Sequence, residues 1–180
     1  LVKAQKSTTH IEQDRMMPRG STVWLGDSII SRLPSGTVSF PSVNYAVGGQ
    51  TTAQILERAR DYTTLSNAAR VFIHAGLNDA LFGRSTVDFS NDYRALMALV
   101  PAHVPVFAFS VLPSNLRPDE PPLYNEALRG ICAERTNTTF MDVFTPLQTN
   151  GHWRAELLSD ETHPNAEGMG LLLGELRKVW

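Results

Sequence analysis

The chain has 180 residues, of which 42% are hydrophobic and 19% are charged. This composition is typical of one globular domain with a full hydrophobic core, and it excludes a disordered chain. The formal net charge of −2 provides no general attraction to nucleic acid or to an anionic membrane surface, so we expect neither as a partner. No run of the sequence approaches the ~18 apolar residues of a membrane-spanning helix.

The beginning of the chain differs from the rest in composition. Residues 1–20 are rich in polar side chains and lack the apolar core of a signal peptide. We expect a linker or an N-terminal extension at residues 1–20 and one folded domain at residues 21–180. One interpretation is that a further domain precedes Leu1 in a longer polypeptide, and the cellular location is left open.

Cys132 is the single cysteine, which excludes an internal disulfide and a cysteine-based zinc site. It lies in an apolar-rich helical stretch at residues 127–133. This setting favours a small buried side chain over a reactive thiol.

From Thr22 onward, short apolar runs alternate with longer amphipathic stretches. The runs predict five strands, at Thr22–Leu25, Val43–Tyr45, Arg70–His74, Val104–Phe109 and Thr139–Met141. The amphipathic stretches predict helices at Ala53–Leu65, Ser90–Val100, Leu123–Glu134 and Ala166–Lys178. Thr51 or Thr52 is expected to cap the first helix, and Asn165 to start the last. The alternation predicts an α/β fold in which helices cover both faces of a parallel sheet.

Loops that leave the carboxyl ends of parallel strands form the binding crevice of such a sheet. Three of the predicted loops carry glycine, and two of them also carry polar side chains: Gly26-Asp27-Ser28, Gly48-Gly49 and Gly76-Leu77-Asn78-Asp79. The segment Ser110–Pro122 leaves the fourth strand at the same edge, and its four prolines predict a stiff loop that forms one wall of the site.

Three residues have the types that serine hydrolysis requires: a nucleophile, Ser28; a base, His163; and a carboxylate that orients the base, Asp160. Their order along the chain is that of hydrolases built on open α/β sheets. Each residue also has a simpler interpretation, since Ser28 can cap a short helix at residues 29–33 and a lone histidine before a proline is usually a surface or capping residue. Ile30 replaces the second glycine of a Gly-x-Ser-x-Gly elbow, so a strained elbow is not predicted.

An oxyanion requires hydrogen-bond donors, and two of the loops offer them. The backbone N–H of Gly49 can point into the site, and the Asn78 amide can supply a further donor. The simpler interpretations are a flexible turn at Gly48-Gly49 and an Asx turn closed by Asn78. Asp79 is assigned to local hydrogen bonding.

Together, Gly26-Asp27-Ser28, Gly49, Gly76-x-Asn78 and Asp160-x-x-His163 resemble the four motif blocks of the SGNH (GDSL) hydrolase superfamily. The resemblance runs from about residue 23 to the C-terminus. It implies a flavodoxin-like three-layer α/β/α sandwich with five parallel strands, a Ser28–His163–Asp160 triad, and an oxyanion hole made of the Ser28 and Gly49 N–H groups and the Asn78 amide. Details around these blocks are similar to the platelet-activating-factor acetylhydrolase-like and carbohydrate O-acetylesterase branch.

We therefore expect a serine esterase that acts on short-chain carboxylic esters without a metal or a cofactor. Leu112 and Trp153 are candidate substrate contacts, and a Trp153 ring that stacks on a sugar would suit removal of acetyl groups from a carbohydrate; a partly buried, anchoring Trp153 is the alternative. The expected partner is a small-molecule or glycan ester.

Several other functions use the same residues. Asp27, His74, Asn78, Asp79 and His163 are ligand types suited to a metal-dependent phosphoesterase, although no metal-binding spacing is present. A lysophospholipase or thioesterase, a transacylase and a non-catalytic glycan-binding module are the remaining alternatives.

Overall fold

The structure, a computed structural model, describes residues 2–33 and 41–179, with the side chains of residues 2–7 left out. Five parallel strands form its central sheet, in the order β2-β1-β3-β4-β5. They are β1 (Thr22–Gly26), β2 (Ser42–Asn44), β3 (Arg70–His74), β4 (Val106–Phe109) and β5 (Thr138–Met141). This is the strand order of flavodoxin-like folds, and the predicted three-layer α/β fold is confirmed.

The strands at the centre of the sheet are apolar on both faces because helices cover both faces. All five residues of β1 are buried. Register places Trp24 beside Phe72, and Phe72 beside Phe107 on the next strand. The Trp24 and Phe72 rings stack with their centroids 4.2 Å apart, and the Phe72 and Phe107 rings lie 4.9 Å apart. These stacked rings tie together the three central strands that position the site.

Seven helices surround the sheet in the described residues. They are α1 (Val2–Met16), α2 (Ser28–Ser31), α3 (Thr52–Ala59), α4 (Leu77–Leu81), α5 (Thr86–Ala98), α6 (Glu120–Ala133) and α7 (Ala166–Arg177). Helices α3, α5 and α6 pack side by side. Asn165 caps α7 as expected, because its side chain accepts from the N–H groups of Glu167 and Gly168.

The expected helix Ala53–Leu65 is shorter in the structure. Helix α3 ends at Ala59, and a separate 3-10 turn covers Thr63–Asn67. The N–H groups of Thr63 and Thr64 donate to the carboxylate of Asp14, at 2.8 Å and 3.0 Å, and not to carbonyls one turn earlier. An acceptor 49 residues away therefore sets the end of this helix.

The proline-rich segment is only partly a loop. Helix α6 begins at Glu120, so Pro121 and Pro122 lie in its first turn and not in the loop predicted for Ser110–Pro122. The first turn tolerates proline because its N–H groups have no partner within the helix. The loop itself ends at Asp119, which is the N-cap residue.

Within the expected linker or N-terminal extension at residues 1–20, Val2–Met16 forms helix α1, which packs against the 3-10 turn at Thr63–Asn67. Asp14 is 3% exposed and accepts hydrogen bonds from Thr63, Thr64 and Tyr45. Composition alone suggested a linker because α1 is polar overall. Among the described side chains of α1, Asp14 makes buried polar contacts and Ile11 packs against the core.

A short antiparallel hairpin, missed by the sequence analysis, joins β6 (Gln148–Thr149) to β7 (His152–Trp153). Its turn residues Asn150 and Gly151 have φ of 51° and 82°. Positive φ at both positions is typical of an Asn-Gly hairpin turn. No helix in the described residues is long and apolar enough to cross a membrane.

Candidate active site

The candidate site lies where the strand order reverses. The chain passes from β1 to β2 in one direction across the sheet, and all later crossovers run in the other direction, so the loops after β1 and β3 leave a crevice between them. Ser28 follows β1, and Asn78 follows β3. The sheet topology thus brings two of the predicted site residues to its switch point.

Ser28 is the first residue of helix α2 and is partly exposed. The strand turns into this helix directly after Gly26, where an added Cβ would lie 2.9 Å from the carbonyl oxygen of His74 and 2.8 Å from Ile30 Cγ1. A side chain at this position would therefore push β1 away from both α2 and β3. Asp27, and not Ser28, is the N-cap, because its Oδ1 accepts from the Ile29 N–H at 3.0 Å.

Asp27 also contacts the neighbouring strand. His74 Nδ1 lies 3.0 Å from Asp27 Oδ1, and both side chains are fully buried. The pair joins the cap of the Ser28 helix to the end of β3. The register of β1 on β3 pairs Gly26 with His74 and so predicts this contact. That register could not be obtained from the sequence alone.

His163 and Asp160 lie on the loop before α7 and face Ser28. His163 Nε2 is 2.9 Å from Ser28 Oγ, and His163 Nδ1 is 3.0 Å and 2.9 Å from the two oxygens of Asp160. The Asp160 Oδ1 atom also accepts from the backbone N–H groups of Thr162 and His163, both at 2.8 Å. This compact turn explains why a spacing of three residues places the carboxylate behind the imidazole.

Asp160 is half exposed, yet its pKa is lowered to about 2. The hydrogen bonds from the backbone N–H groups of Thr162 and His163 are the main cause, and the His163 side chain adds to them. The carboxylate is therefore ionised throughout the neutral range. Since an ionised carboxylate only accepts, His163 must carry its proton on Nδ1 and present Nε2 as an acceptor to Ser28.

The glycine loop and Asn78 complete the constellation. Gly49 has a φ of 73°, in the left-handed region that favours glycine, and an added Cβ at Gly48 would lie 3.6 Å from Ser28 Cβ. Asn78 Nδ2 donates to the backbone oxygen of Gln50 at 3.0 Å. An amide nitrogen has two hydrogens, so this contact fixes the Asn78 amide and leaves its second hydrogen available.

A family comparison agrees with this arrangement of motifs. The model of the GDSL-like Lipase/Acylhydrolase family matches residues 7–171. The chain belongs to this family. It is an SGNH hydrolase, and a carboxylic ester hydrolase, as the four motif blocks implied.

Solved structures of low sequence identity share the fold of this GDSL-like acylhydrolase. One from Streptococcus pneumonia, named for platelet activating factor, has a TM-score of 0.88 at 19% identity, over 98% of this chain and 91% of that one. A GDSL-like lipase from Bacteroides thetaiotaomicron has a TM-score of 0.77 at 19% identity, over 96% of both chains. A carbohydrate esterase family 3 from Talaromyces cellulolyticus has a TM-score of 0.70 at 17% identity, over 89% of this chain and 96% of that one. No curated protein matches the chain.

Two predicted substrate contacts of the acylhydrolase require correction. Leu112 is fully buried, and Trp153 is 4% exposed within the hydrophobic core. The hairpin of β6 and β7 turns Trp153 inward, and Asn115 accepts from its backbone N–H at 3.0 Å. Neither side chain is accessible to a substrate, so Trp153 is the anchoring aromatic that the sequence analysis gave as the alternative.

Other apolar side chains in the described part of the chain are accessible, among them one after β3 and one after β4. Phe82 is 66% exposed and Leu116 is 59% exposed. Phe82 follows Asn78 by one helical turn, and its N–H donates to the Asn78 carbonyl at 3.0 Å, so the two side chains share one face of the helix. The sequence analysis did not single out Phe82, which lies four residues after Asn78.

The residues proposed for a metal-dependent phosphoesterase are engaged with protein groups. Asp27 contacts His74. Asp79 accepts hydrogen bonds from the N–H and the hydroxyl of Thr52 and from Arg84 Nη1, and these three distances are all within 2.9 Å. Asp79 thus links the loop after β3 to α3, which is a longer connection than the local bonding expected. In the part of the chain that the structure describes, no three His, Cys, Asp or Glu side chains form a group that can hold a metal ion.

Proposed function

We propose that the protein is a serine esterase that hydrolyses short-chain carboxylic esters through an acyl-enzyme. Ser28 is the nucleophile, His163 the general base, and Asp160 the acid that orients the base. The oxyanion hole consists of the Ser28 and Gly49 N–H groups and the Asn78 amide. The contact of 2.9 Å between His163 Nε2 and Ser28 Oγ carries this proposal, because it is the distance at which a base takes a hydroxyl proton.

In the first half of the reaction, Ser28 Oγ bonds to the ester carbonyl carbon while His163 Nε2 takes the hydroxyl proton. The carbonyl oxygen becomes an oxyanion and accepts hydrogen bonds from the three donors. When the intermediate collapses, the bond to the alcohol oxygen breaks and His163 returns the proton to the departing alcohol. Acyl-Ser28 remains.

In the second half, water adds to the acyl carbon while His163 takes one of its protons. The bond to Ser28 Oγ then breaks, and His163 gives that proton back to the serine. The carboxylic acid leaves. Asp160 stays ionised in both halves because its pKa is about 2, so it stabilises the imidazolium that forms twice in each cycle.

For the substrate, we propose an acetyl ester of a carbohydrate or of a similar polar alcohol. The rim beside the triad is polar: Asp160 is half exposed, and Arg32 Nη1 lies 3.9 Å from its Oδ2 with a similarly exposed side chain. A polar rim suits a hydroxyl-rich leaving group. The fold is shared with a carbohydrate esterase, which agrees with this choice.

A second candidate is an acyl hydrolase of lysophospholipids or thioesters. The exposed Phe82 favours it, since an apolar side chain one helical turn from Asn78 can hold an acyl chain. The two candidates differ in the acyl length that they prefer.

Hydrolysis of p-nitrophenyl esters from acetate to decanoate, with EDTA present, distinguishes them. We expect turnover that is fastest with acetate, is lost in Ser28→Ala, and is retained in Ser66→Ala, which changes an exposed serine far along the chain. Faster hydrolysis of long chains would select the second candidate. Turnover that persists in Ser28→Ala, or that EDTA abolishes, would contradict the proposed mechanism.

A further inference from the structure

Arg58 on helix α3 lies behind the glycine loop and makes several hydrogen bonds. Its Nε and Nη2 both donate to Gln50 Oε1, at 2.8 Å and 2.5 Å. Its Nη1 donates to the backbone oxygen of Tyr45 at 2.9 Å and to the hydroxyl of Tyr62 at 2.7 Å. The Nη1 atom is also 3.4 Å from His10 Nδ1 on helix α1. Arg58 therefore joins α1, the end of β2 and α3 to one side chain of the loop.

Gln50 is held at both of its ends. Its side-chain oxygen receives the two N–H groups of Arg58, and its backbone oxygen receives the Nδ2 hydrogen of Asn78. Gln50 also directly follows Gly49. One buried residue thus connects the Arg58 guanidinium to two of the three proposed oxyanion donors.

We propose that Arg58 is a positioning residue of the oxyanion hole, which acts through Gln50 on Gly49 and Asn78. The inference rests on the proposed esterase function. Displacement of Gln50 would move the Gly49 N–H and release the Asn78 amide from its acceptor. Donors must lie within hydrogen-bond distance of the place where the oxyanion forms, so a small displacement reduces the rate without removing a donor.

The chemistry of the contact requires arginine. The Arg58 acceptors in these contacts are neutral oxygens, so its hydrogen bonds are charge-assisted and are stronger than bonds between neutral groups. Burial is the largest influence on the Arg58 pKa and lowers it from its usual value, and the Tyr62 contact opposes this. Lysine would place one point charge here and could not direct two N–H groups at Gln50 while reaching Tyr45.

The test is a double-mutant cycle between Arg58→Met and Gln50→Leu, measured with p-nitrophenyl acetate. Each single variant should lower kcat about 10- to 100-fold with little change in KM, because the donors are displaced and not removed. The double variant should be no slower than the slower single variant, since both changes break one connection. Arg58→Lys should remain slow. Arg60→Met, on an exposed arginine two residues later, is the matched control.

Four results from kinetics and stability would overturn the proposal. They are an Arg58→Met variant as fast as Arg60→Met, losses that multiply in the double variant, full activity in Arg58→Lys, and a fall in kcat that is no larger than the loss of folded protein measured by thermal denaturation. A separate measurement does not depend on turnover. The Asn78 side-chain NH2 signals in nitrogen–proton NMR spectra should shift in Arg58→Met and stay in place in Arg60→Met. A wild-type protein without turnover would refute the proposed function, and unmoved Asn78 signals would refute the role of Arg58.

Discussion

The imidazole of His163 lies with its Nε2 atom 2.9 Å from Ser28 Oγ, although the two residues are 135 positions apart in the chain. Ser28 is placed by the turn between β1 and α2, and His163 by the turn that Asp160 closes before α7. Two independent local structures therefore meet at one hydrogen bond. The chemistry of the site depends on this contact.

Asp160→Asn should reduce kcat by at least about a hundredfold, because an amide stabilises neither the imidazolium nor the tautomer with its proton on Nδ1. The measurement is steady-state hydrolysis of p-nitrophenyl acetate at neutral pH. Glu161→Gln, which neutralises the exposed adjacent carboxylate, should keep near wild-type kcat. Equal losses in both variants would show that the general charge of the loop matters and that Asp160 has no special role.

The lowered pKa of Asp160 gives a pH prediction. Because that pKa is about 2, the carboxylate remains ionised as the pH falls from 8 to 4. Protonation of Asp160 should therefore cause no loss of kcat/KM within this range. Nuclear magnetic resonance titration of the Asp160 carboxyl carbon should show no protonation step above pH 4; a step in that range would contradict the proposed hydrogen bonds from Thr162 and His163.

Asn78→Ala should lower kcat about a hundred- to a thousandfold, the usual effect of removing one oxyanion donor. The change should leave the domain folded, since Asn78 is a single amide at the edge of the core and α4 continues without it. Asn91→Ala, on the exposed face of α5, is the control for substitution of an asparagine. Near wild-type turnover in Asn78→Ala would remove Asn78 from the oxyanion hole.

The sequence was sufficient for the sheet and for the order of the motifs. Five apolar runs mark the five strands because buried parallel strands are apolar on both faces, as in β1. Ser28 and Asn78 were found because loops at the carboxyl ends of strands have a known location, and the structure brings both to the switch point of the sheet.

The contacts that were missed depend on distant residues. The Asp27–His74 pair requires the register of β1 on β3, and the end of α3 requires Asp14, which lies about 50 residues earlier. Trp153 was assigned to the substrate because the hairpin that turns it inward was not recognised, although Asn150-Gly151 was a signal for that hairpin. Local composition cannot supply the pairing of Asp27 with His74 or that of Asp14 with Thr63 and Thr64.

Asp14→Asn should lower the free energy of unfolding by about 2–3 kcal/mol at pH 7. The reason is that the N–H and hydroxyl groups of Thr63 and Thr64 would no longer donate to a buried, ionised carboxylate. Urea denaturation measures this difference. Asp61→Asn, at an exposed position near the same turn, should change stability little. If Asp14→Asn were as stable as wild type, α1 would not be docked through this carboxylate.

The same carboxylate predicts a dependence on pH. Burial is the largest single influence on the Asp14 pKa and raises it, but the hydrogen bonds from Thr63 and Thr64 together outweigh burial, so the pKa is lowered. A lowered folded-state pKa contributes stability above the unfolded-state pKa of about 4, and this contribution is lost as the pH falls. The stability difference between wild type and Asp14→Asn should therefore shrink below pH 4. A difference that is constant from pH 7 to pH 3 would contradict this.

Cys132 should be unreactive in the folded protein. Burial raises the pKa of its thiol to about 12, with a small opposing effect from Arg129, so almost no thiolate is present at pH 8. Mass spectrometry after treatment with iodoacetamide should show little labelling in buffer and complete labelling in concentrated urea. Rapid labelling of the native protein would mean that α6 opens at this position.

The most direct test of the central claim is covalent trapping of the nucleophile. The wild-type protein is incubated with a serine-directed fluorophosphonate, digested and analysed by mass spectrometry. One phosphonyl adduct on Ser28 is predicted, with much slower formation in His163→Ala because the base is absent. An adduct on another residue, or formation at the same rate in His163→Ala, would contradict the assignment of Ser28 and His163 as nucleophile and base.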